Sequence, residues 1–222
     1  MQDGGEPGGN IRVAMIYNSR RVQFTPKGNA RALDETTIND NGELNQNPGR
    51  VYPNDDVFHR SRKPMIAEFV FKGQKVFVMG NHWNSKLSDG NLWGVSQPLP
   101  YSSEIQRTLL AERVTQFTQR LQQKNPTANI IVSGDLNAQW DERSLKVLGS
   151  RGLTNLMTYK DLVPKNSWYS TNYNGGASAI DHTFVNDVIL SKEPEFEILH
   201  INSNFMSKVS DHDPVIARFK IP

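Results

Sequence analysis

Short apolar runs rich in β-branched residues alternate along this chain with polar segments rich in Gly, Pro, Asn and Asp. Runs of this kind, bounded by turn-forming residues, are typical of β-strands. Two of them flank Lys72-Gly73-Gln74-Lys75, which predicts a hairpin. Strands are therefore predicted at residues 11–17, 66–71, 76–79, 129–133, 179–185, 196–201 and 215–219.

Two other segments carry apolar residues at helical spacing. Residues 102–123 predict a long helix that is capped by Ser102 or Ser103 and ended by Asn125-Pro126. A shorter helix is predicted at residues 142–148. The buried face predicted for the long helix consists of Ile105, Leu109, Val114, Phe117 and Leu121.

The order of these elements indicates the fold class. Strands outnumber helices, and hairpins alternate with strand–helix units, which is typical of an α/β domain with layered, mixed sheets. At 222 residues the chain is long enough for a sizeable core, so we expect a single domain over residues 1–222. Residues 18–56 are dominated by Asn, Gly, Asp and Pro and are expected to form a long surface excursion.

Composition narrows the chemistry that the chain can use. No apolar run approaches the roughly 18 residues that a membrane-spanning helix needs. The chain contains no cysteine, so any metal must be held by carboxylate, amide or imidazole groups. The net charge of +2 is weakly basic and permits a polyanionic partner without requiring one.

Polar clusters stand at the ends of several predicted strands, where a rigid sheet can direct side chains into a cleft. Each cluster alone is consistent with a turn, a cap or a solvated charge. Together they occur as four ordered motifs, each next to apolar residues. The motifs are Gly80-Asn81-His82, Gly134-Asp135-Leu136-Asn137, Ile180-Asp181-His182 and Ser210-Asp211-His212-Asp213-Pro214-Val215.

This set of motifs resembles the endonuclease/exonuclease/phosphatase superfamily, the DNase I-like group of metal-dependent phosphoesterases. The resemblance implies a layered α/β-sandwich with mixed, largely antiparallel sheets flanked by helices. The sequence Asn-His-Trp-Asn-Ser-Lys at 81–86 is most similar to bacterial extracellular nucleases, which implies an extracellular or periplasmic location.

The resemblance also implies a role for each motif residue. His212 would bind the scissile phosphate or manage the leaving-group proton, and Asp181 would hold its other ring nitrogen. Asp135 would orient or deprotonate the attacking water. Asn137 would point to the same side if the chain is extended there, and would donate to the phosphate or help to bind metal. His82 would be a second group in contact with the phosphate.

Metal and substrate contacts complete the expected site. Asp211 would ligate Mg²⁺, Mn²⁺ or Ca²⁺, which prefer oxygen ligands, with Asp135 and Asn137 as further donors. Lys86, Arg20 and Arg60 are candidate electrostatic contacts for a nucleic acid substrate, DNA or RNA. Aromatic residues near such a cleft either stack on bases or pack within loops; they are Trp83, Trp93, Tyr101, Trp140 and Trp168.

The chain departs from the family pattern near its start. The family opens with a strand carrying an Asn motif and later supplies a metal-binding Glu, and neither motif is found here. Glu6 and Glu35 lie in loop-like sequence and are poor substitutes. We therefore expect N-terminal strands of the fold to be missing and metal affinity to be weak. An exposed sheet edge invites pairing with another copy, so a homodimer is also an expectation.

Three functions remain open on the sequence. The first is a metal-dependent nuclease that cleaves DNA or RNA. The second is a phosphoesterase acting on a phosphoinositide or a sphingomyelin-like lipid, which needs an apolar element facing the membrane; the loop around Trp93 is the candidate. The third is a catalytically weak nucleic-acid-binding module that keeps the cleft without the full metal site.

Overall fold

A computed structural model describes residues 11–86, 89–90, 95, 97, 101–173 and 175–222. Its helices are α1 (Ser102–Lys124), α2 (Arg143–Ser150) and α3 (Asp187–Leu190). Its strands are β1 (Gln23–Phe24), β2 (Gly49–Arg50), β3 (Met65–Phe71), β4 (Gln74–His82), β5 (Asn129–Asp135), β6 (Thr154–Asn155), β7 (Thr171–Tyr173), β8 (Gly176–Ser178), β9 (Asp181–Val185), β10 (Glu195–Ile198) and β11 (Val215–Arg218).

Seven of these strands form one mixed sheet, here called the main sheet. Its order is β1-β3-β4-β5-β9-β6, and β2 also pairs with β3. Only β4 and β5 run parallel among these pairs; the others are antiparallel. Two small antiparallel sheets, β7–β8 and β10–β11, accompany it. The predicted class, a layered α/β fold with mixed and largely antiparallel sheets, is confirmed, and so is the predicted hairpin, which is β3–β4.

One face of the main sheet is covered by helices. Side chains alternate between the two faces of a strand, and those of Phe77, Met79, Ile130 and Val132 are fully buried in one core together with residues of α1 and α2. Burial of this kind contributes roughly 25 cal/mol per Å² of apolar surface. No helix in the described ranges is long and apolar enough to cross a membrane.

The small sheet β10–β11 packs against part of the opposite face of the main sheet. Phe196 and Ile198 of β10 share a second buried core with Val185 of β9 and with Ile189 of α3. This packing brings the C-terminal strand, and the Ser-Asp-His-Asp-Pro motif just before it, against the end of the main sheet that carries β9.

The long helix is confirmed, but its buried face differs from the prediction. Ile105 is 67% exposed, whereas Arg107 is fully buried. The charge of Arg107 is accommodated because its guanidinium pairs with Glu142 at 3.1 Å and donates to the hydroxyl of Ser103 at 2.7 Å. The apolar pattern alone could not show this, because an arginine is normally assigned to the solvent side.

The predicted central strand at residues 11–17 is wrong. These residues pair with no strand in the described ranges, and Ile16 is fully exposed at 100%. Val13 and Met15 turn toward the main sheet, where they approach Gly80 of β4, and the ring of Tyr17 packs against Phe69 of β3. The segment therefore has the composition of a strand, but no strand edge of the described chain is aligned beside it.

Candidate active site

The strand register places three of the predicted residues in one row at the edge of the main sheet. His82 at the end of β4 lies opposite Asp135 at the end of β5. Asp135 in turn lies opposite Asp181 at the start of β9. A further bridge between Thr171 and His212 brings the fourth motif to the same edge. Four motifs that are distant in sequence therefore meet at one site.

His212 and Asp181 form the pair that the resemblance predicts. The Nδ1 atom of His212 lies 2.7 Å from Oδ2 of Asp181, and the hydroxyl of Ser170 donates to the same carboxylate oxygen at 2.6 Å. The hydrogen bond to Asp181 raises the pKa of His212 to about 9, against the opposing effect of partial burial. His212 is thus protonated at neutral pH, and its Nε2 atom is the one left for a substrate.

Asp135 has an unusually high pKa for an aspartate. Burial, and then the nearby charge of Asp181, raise the pKa of Asp135 to about 6. Its carboxylate accepts hydrogen bonds from the backbone N–H of Asn137 at 2.8 Å and from the Asn137 side chain at 3.2 Å. Near neutral pH, Asp135 is therefore largely ionised yet basic enough to take a proton from water.

The orientation of Asn137 differs from the expectation of an extended chain. Strand β5 ends at Asp135, and Asn137 has a φ of 49°, in the left-handed region. Its side-chain amide donates back to Asp135 and also to the carbonyl of Trp83 at 3.0 Å. Both amide hydrogens are thus used within the protein, so Oδ1 is the side-chain atom that remains to bind a cation.

His82 is neutral in this environment. Burial, and then the positive charges of Arg62 and His212, lower the pKa of His82 to about 4. Its Nε2 atom lies 3.3 Å from Oδ2 of Asp135. His82 at neutral pH therefore contacts Asp135 as a neutral imidazole and contributes no positive charge.

Arg62 is a site residue that sequence reasoning missed. Its positive charge lowers the pKa values of both His82 and Asp135, so its half-buried guanidinium acts directly on the site. Its Nε atom is buried without a hydrogen-bond partner in the described structure. The register of the β3–β4 hairpin is the feature that indicates the position of Arg62. Met65 pairs with Gly80, so residues just before Met65 lie level with His82.

Lys86, Arg20 and Arg60 were predicted as electrostatic contacts for the substrate. Lys86 makes an ion pair with Glu142, which also holds Arg107. Arg20 makes a local contact, in which its backbone N–H donates to the side chain of Asn18 at 3.0 Å. Arg60 is exposed and has a φ of 53°. None of these contacts involves the row of His82, Asp135 and Asp181, so the roles of Lys86, Arg20 and Arg60 stay predictions.

A buried carboxylate fixes the loop that carries His212. Asp213 accepts hydrogen bonds from the backbone N–H groups of Asn202 and Ser203 at 2.8 and 3.0 Å, from the hydroxyl of Ser203, and from Nδ1 of His200 at 3.1 Å. Asn202 donates in turn to the carbonyl of His212 at 2.7 Å. The hydrogen bonds at Asp213 hold its pKa below the usual range, against the effect of burial. This network positions His212 beside Asp181.

The remaining motif residues have structural roles. His182 is fully buried, and both of its ring nitrogens contact protein groups, Nδ1 with Asn155 and Nε2 with the carbonyls of Ala138 and Ala179. Trp83 is fully buried, and its indole N–H donates a hydrogen bond to the side-chain oxygen of Asn81 at 3.1 Å.

The other aromatic residues named from the sequence lie mainly near the surface. Trp140 and Trp168 contact each other edge to face, with their ring centroids 5.3 Å apart. Trp140 and Tyr101 are exposed. Trp93 and Glu6 lie outside the described residues.

The donors available for a metal ion are few. Asp211 is exposed, and its charge contributes to the raised pKa of His212. Within the described ranges, no three acidic or histidine side chains converge closely enough to hold an ion. The carboxylates of Asp135 and Asp211 and the amide oxygen of Asn137 are ligands of the type that divalent cations such as Mg²⁺, Mn²⁺ and Ca²⁺ prefer, and they are too few for a closed protein site.

Comparisons with solved structures agree on the fold. The chain resembles a mannosyl-6-phosphatase of Bacteroides thetaiotaomicron (TM-score 0.55, 15% identity, 91% of this chain and 68% of that one). It also resembles D. rerio TDP2 in complex with a single-strand DNA product (0.53, 17%, 89% and 68%). A 3'-5' exonuclease of Neisseria meningitidis is similar as well (0.52, 18%, 78% and 70%).

The chain is shorter than these relatives. It spans 59% of a C. elegans TDP2 and 66% of a further D. rerio TDP2. No curated protein sequence matches it. The family model described as "Endonuclease/Exonuclease/phosphatase family" matches residues 32–212, which contain all four motifs. This chain therefore belongs to the endonuclease/exonuclease/phosphatase family.

Proposed function

We propose that this chain hydrolyses phosphodiester bonds of nucleic acid, DNA or RNA, with the help of a divalent cation. The observation that carries the proposal is the convergence at one edge of the main sheet of Asp135 with His212, which lies 2.7 Å from Asp181, the residue opposite Asp135. His212 has a pKa near 9 and Asp135 a pKa near 6, so at neutral pH one is a protonated acid and the other an ionised base.

The residues of the site divide the reaction between them. Asp135 takes a proton from the attacking water, whose oxygen forms a bond to phosphorus. His212, held by Asp181, binds the phosphate and gives its Nε2 proton to the leaving oxygen as the phosphorus–oxygen bond breaks. Arg62 supplies fixed positive charge where the phosphate becomes more negative. A cation bound by Asp211 and by Oδ1 of Asn137 would add charge neutralisation and would leave the carboxylate of Asp135 free to take the proton.

Two of the solved structures with this fold are compatible with a nucleic acid substrate. A neisserial 3'-5' exonuclease and a TDP2 bound to single-strand DNA share the fold of this chain. The net charge of +2 is compatible with a polyanionic substrate. The sub-family resemblance to extracellular nucleases, and with it an extracellular or periplasmic location, stays part of the proposal.

A phosphoesterase acting on lipid headgroups is the second candidate, and one feature favours it. The loop between β10 and β11 exposes Ile201, Phe205, Met206 and Val209, and it leads directly into His212. Exposed apolar side chains beside a phosphate site are suited to insertion at a membrane surface.

Metal removal and substrate choice test the proposal together. We expect cleavage of supercoiled plasmid or single-stranded RNA in Mg²⁺, Mn²⁺ or Ca²⁺, complete loss in EDTA, and recovery when metal is added back. Because few ligands come from the protein, half-maximal activity should require roughly millimolar metal.

Vesicles containing phosphoinositide or sphingomyelin serve as the competing substrate. Release of headgroups from vesicles with nucleic acid left intact would replace the first candidate by the second. Binding of nucleic acid without cleavage under any of the three metals would leave the binding-module hypothesis.

The pH dependence of cleavage provides an independent prediction. The value of kcat/KM should rise as pH passes about 6, where Asp135 loses its proton, and fall as pH passes about 9, where His212 loses its proton. Initial rates from pH 4 to 10 in constant ionic strength would measure both limbs. An acid limb near pH 4, the ordinary range of an aspartate, would contradict the role given to Asp135.

A further inference from the structure

Ser170, which is fully buried just before β7, uses the whole hydrogen-bonding capacity of its hydroxyl at the site. The hydroxyl donates to Oδ2 of Asp181 at 2.6 Å, and it accepts the backbone N–H groups of Ile180 and Asp181 at 3.3 and 3.1 Å. A serine hydroxyl has one donor and two acceptor lone pairs, so these three bonds leave none of them unused. The direction in which the hydroxyl donates is therefore fixed by the backbone at the start of β9.

The orientation of the Asp181 carboxylate depends on contacts of this kind. The last side-chain torsion of an aspartate has broad wells, so the rotamer alone does not fix the positions of the two oxygen atoms. Oδ2 of Asp181 is also the atom that lies 2.7 Å from Nδ1 of His212. One oxygen thus receives both the hydroxyl of Ser170 and the ring of His212. The hydroxyl consequently holds this oxygen where it faces the ring.

The backbone of Ser170 is bonded to the loop that carries His212. Its carbonyl accepts the N–H of Asp213 at 2.6 Å, and its own N–H donates to the carbonyl of Ser178 in β8 at 2.9 Å. Asp181 begins β9 of the main sheet, whereas His212 precedes β11 of the small sheet. Ser170 therefore bonds to the polypeptide on both sides of the His212–Asp181 pair.

We propose that Ser170 is a positioning residue of the reaction, which aligns Asp181 with His212 so that the imidazole presents Nε2 to the leaving oxygen. This inference rests on the proposed phosphodiesterase function, because the alignment matters through the proton that His212 delivers. Ser170 itself makes no contact with substrate in this role. A catalytic group misplaced by about 1 Å can lose about a hundredfold in rate, so a residue that only aligns the pair has a large effect on the reaction.

Removal of the hydroxyl tests this role by kinetics. Ser170→Ala should lower kcat for nucleic acid cleavage by about tenfold to a hundredfold and leave KM within about twofold of the parent value. Ser170→Thr keeps a hydroxyl donor and should recover most of the rate. Ser133→Ala is the matched control, because the hydroxyl of Ser133 also lies in the main sheet but bonds to the carbonyl of His182 and the hydroxyl of Thr183. It should keep the parent kcat.

Proton NMR of the protein without substrate tests the alignment directly. The charge-assisted hydrogen bond from Nδ1 of His212 to Asp181 should give a low-field proton resonance, which is assigned by its absence in His212→Ala. In Ser170→Ala the carboxylate is free to turn and the bond opens to water, so this resonance should move upfield or disappear by exchange. It should stay in Ser133→Ala and return in Ser170→Thr. Ser170→Cys, close in size to serine and only a weak donor, provides the same test should Ser170→Ala fail to fold.

Several results would overturn the role of Ser170. They are an unchanged resonance or an unchanged kcat in Ser170→Ala, and a rise in KM that accounts for the whole loss of activity. A Ser170→Thr protein that melts at the parent temperature but stays as slow as Ser170→Ala would have the same meaning, because the hydroxyl would then not be the feature that matters.

The failure of this inference and the failure of the proposed function give different results. If the parent protein cleaves no nucleic acid, the proposed function fails, and the NMR resonance still decides whether Ser170 aligns the pair. If the parent protein cleaves nucleic acid and Ser170→Ala cleaves it equally fast, the role of Ser170 is removed and the proposed function stands.

Discussion

Replacing His212 by alanine is expected to lower kcat for nucleic acid cleavage by about 10²- to 10⁴-fold, the usual contribution of a general acid or base. The loss follows from the geometry, because His212 is held at 2.7 Å by Asp181 and protonated with a pKa near 9. The effect should appear in kcat rather than mainly in KM, since the proton is needed most in the transition state. Single-turnover rates on a fluorescent oligonucleotide would measure it.

His59→Ala is the matched control for that experiment, because His59 is an exposed histidine outside the four motifs. It should retain the parent rate. Asp181→Asn tests what Asp181 contributes to the pair. Without its carboxylate, the pKa of His212 should fall from about 9 toward its ordinary value near 6.5, and the alkaline limb of the pH profile should move to lower pH with it. An unchanged alkaline limb in Asp181→Asn, or an undiminished rate in His212→Ala, would remove the proposed acid.

Arg62→Ala should lower kcat by about 10²- to 10³-fold, the range found for removing one preorganised group that stabilises transition-state charge. Two effects combine here. The substitution removes positive charge near the phosphate, and it also removes the charge that lowers the pKa of Asp135. The acid limb of the pH profile should therefore move upward from about 6. Rates and pH profiles of the purified variant would measure both changes.

The control for Arg62 is its neighbour Arg60, which is exposed. Arg60→Ala should change kcat by less than about tenfold, as expected of a surface charge screened by solvent. Arg62→Lys keeps the charge but not the shape of the guanidinium, so an intermediate rate is expected. If Arg60→Ala were the more damaging change, the substrate contact predicted for Arg60 from the sequence would be right and the assignment of Arg62 to the site would be wrong.

The sequence predicted the main elements of the site because each motif is attached to a strand with a strong apolar pattern. Residues 76–79, 129–133 and 179–185 were recognisable as strands, and their ends carry His82, Asp135 and Asp181. The motifs predicted that these residues meet. Their side-by-side alignment across neighbouring strands depends on the pairing register of those strands, which no local sequence pattern specifies.

Two roles were missed for identifiable physical reasons, that of Arg62, which lies outside the motifs, and that of Asp213, which stands in the fourth motif but was assigned no role there. Arg62 and Asp213 act through tertiary contacts, one by its charge on His82 and Asp135 and the other by its hydrogen bonds to a distant loop. Segment 11–17 shows the opposite error: its composition is that of a strand, but pairing needs an adjacent edge, which local propensity does not supply.

The proposed general base, Asp135, and the proposed general acid, His212, are attached to different sheets. Asp135 stands on the main sheet, whereas His212 immediately precedes β11 of the two-stranded sheet, which is held in place by the core around Phe196 and Ile198. A local opening that undocks β10–β11 would separate acid from base while the helix-covered core stays folded. The free energy of that sub-global opening, and not the global stability of the domain, then sets the fraction of molecules that are competent for catalysis.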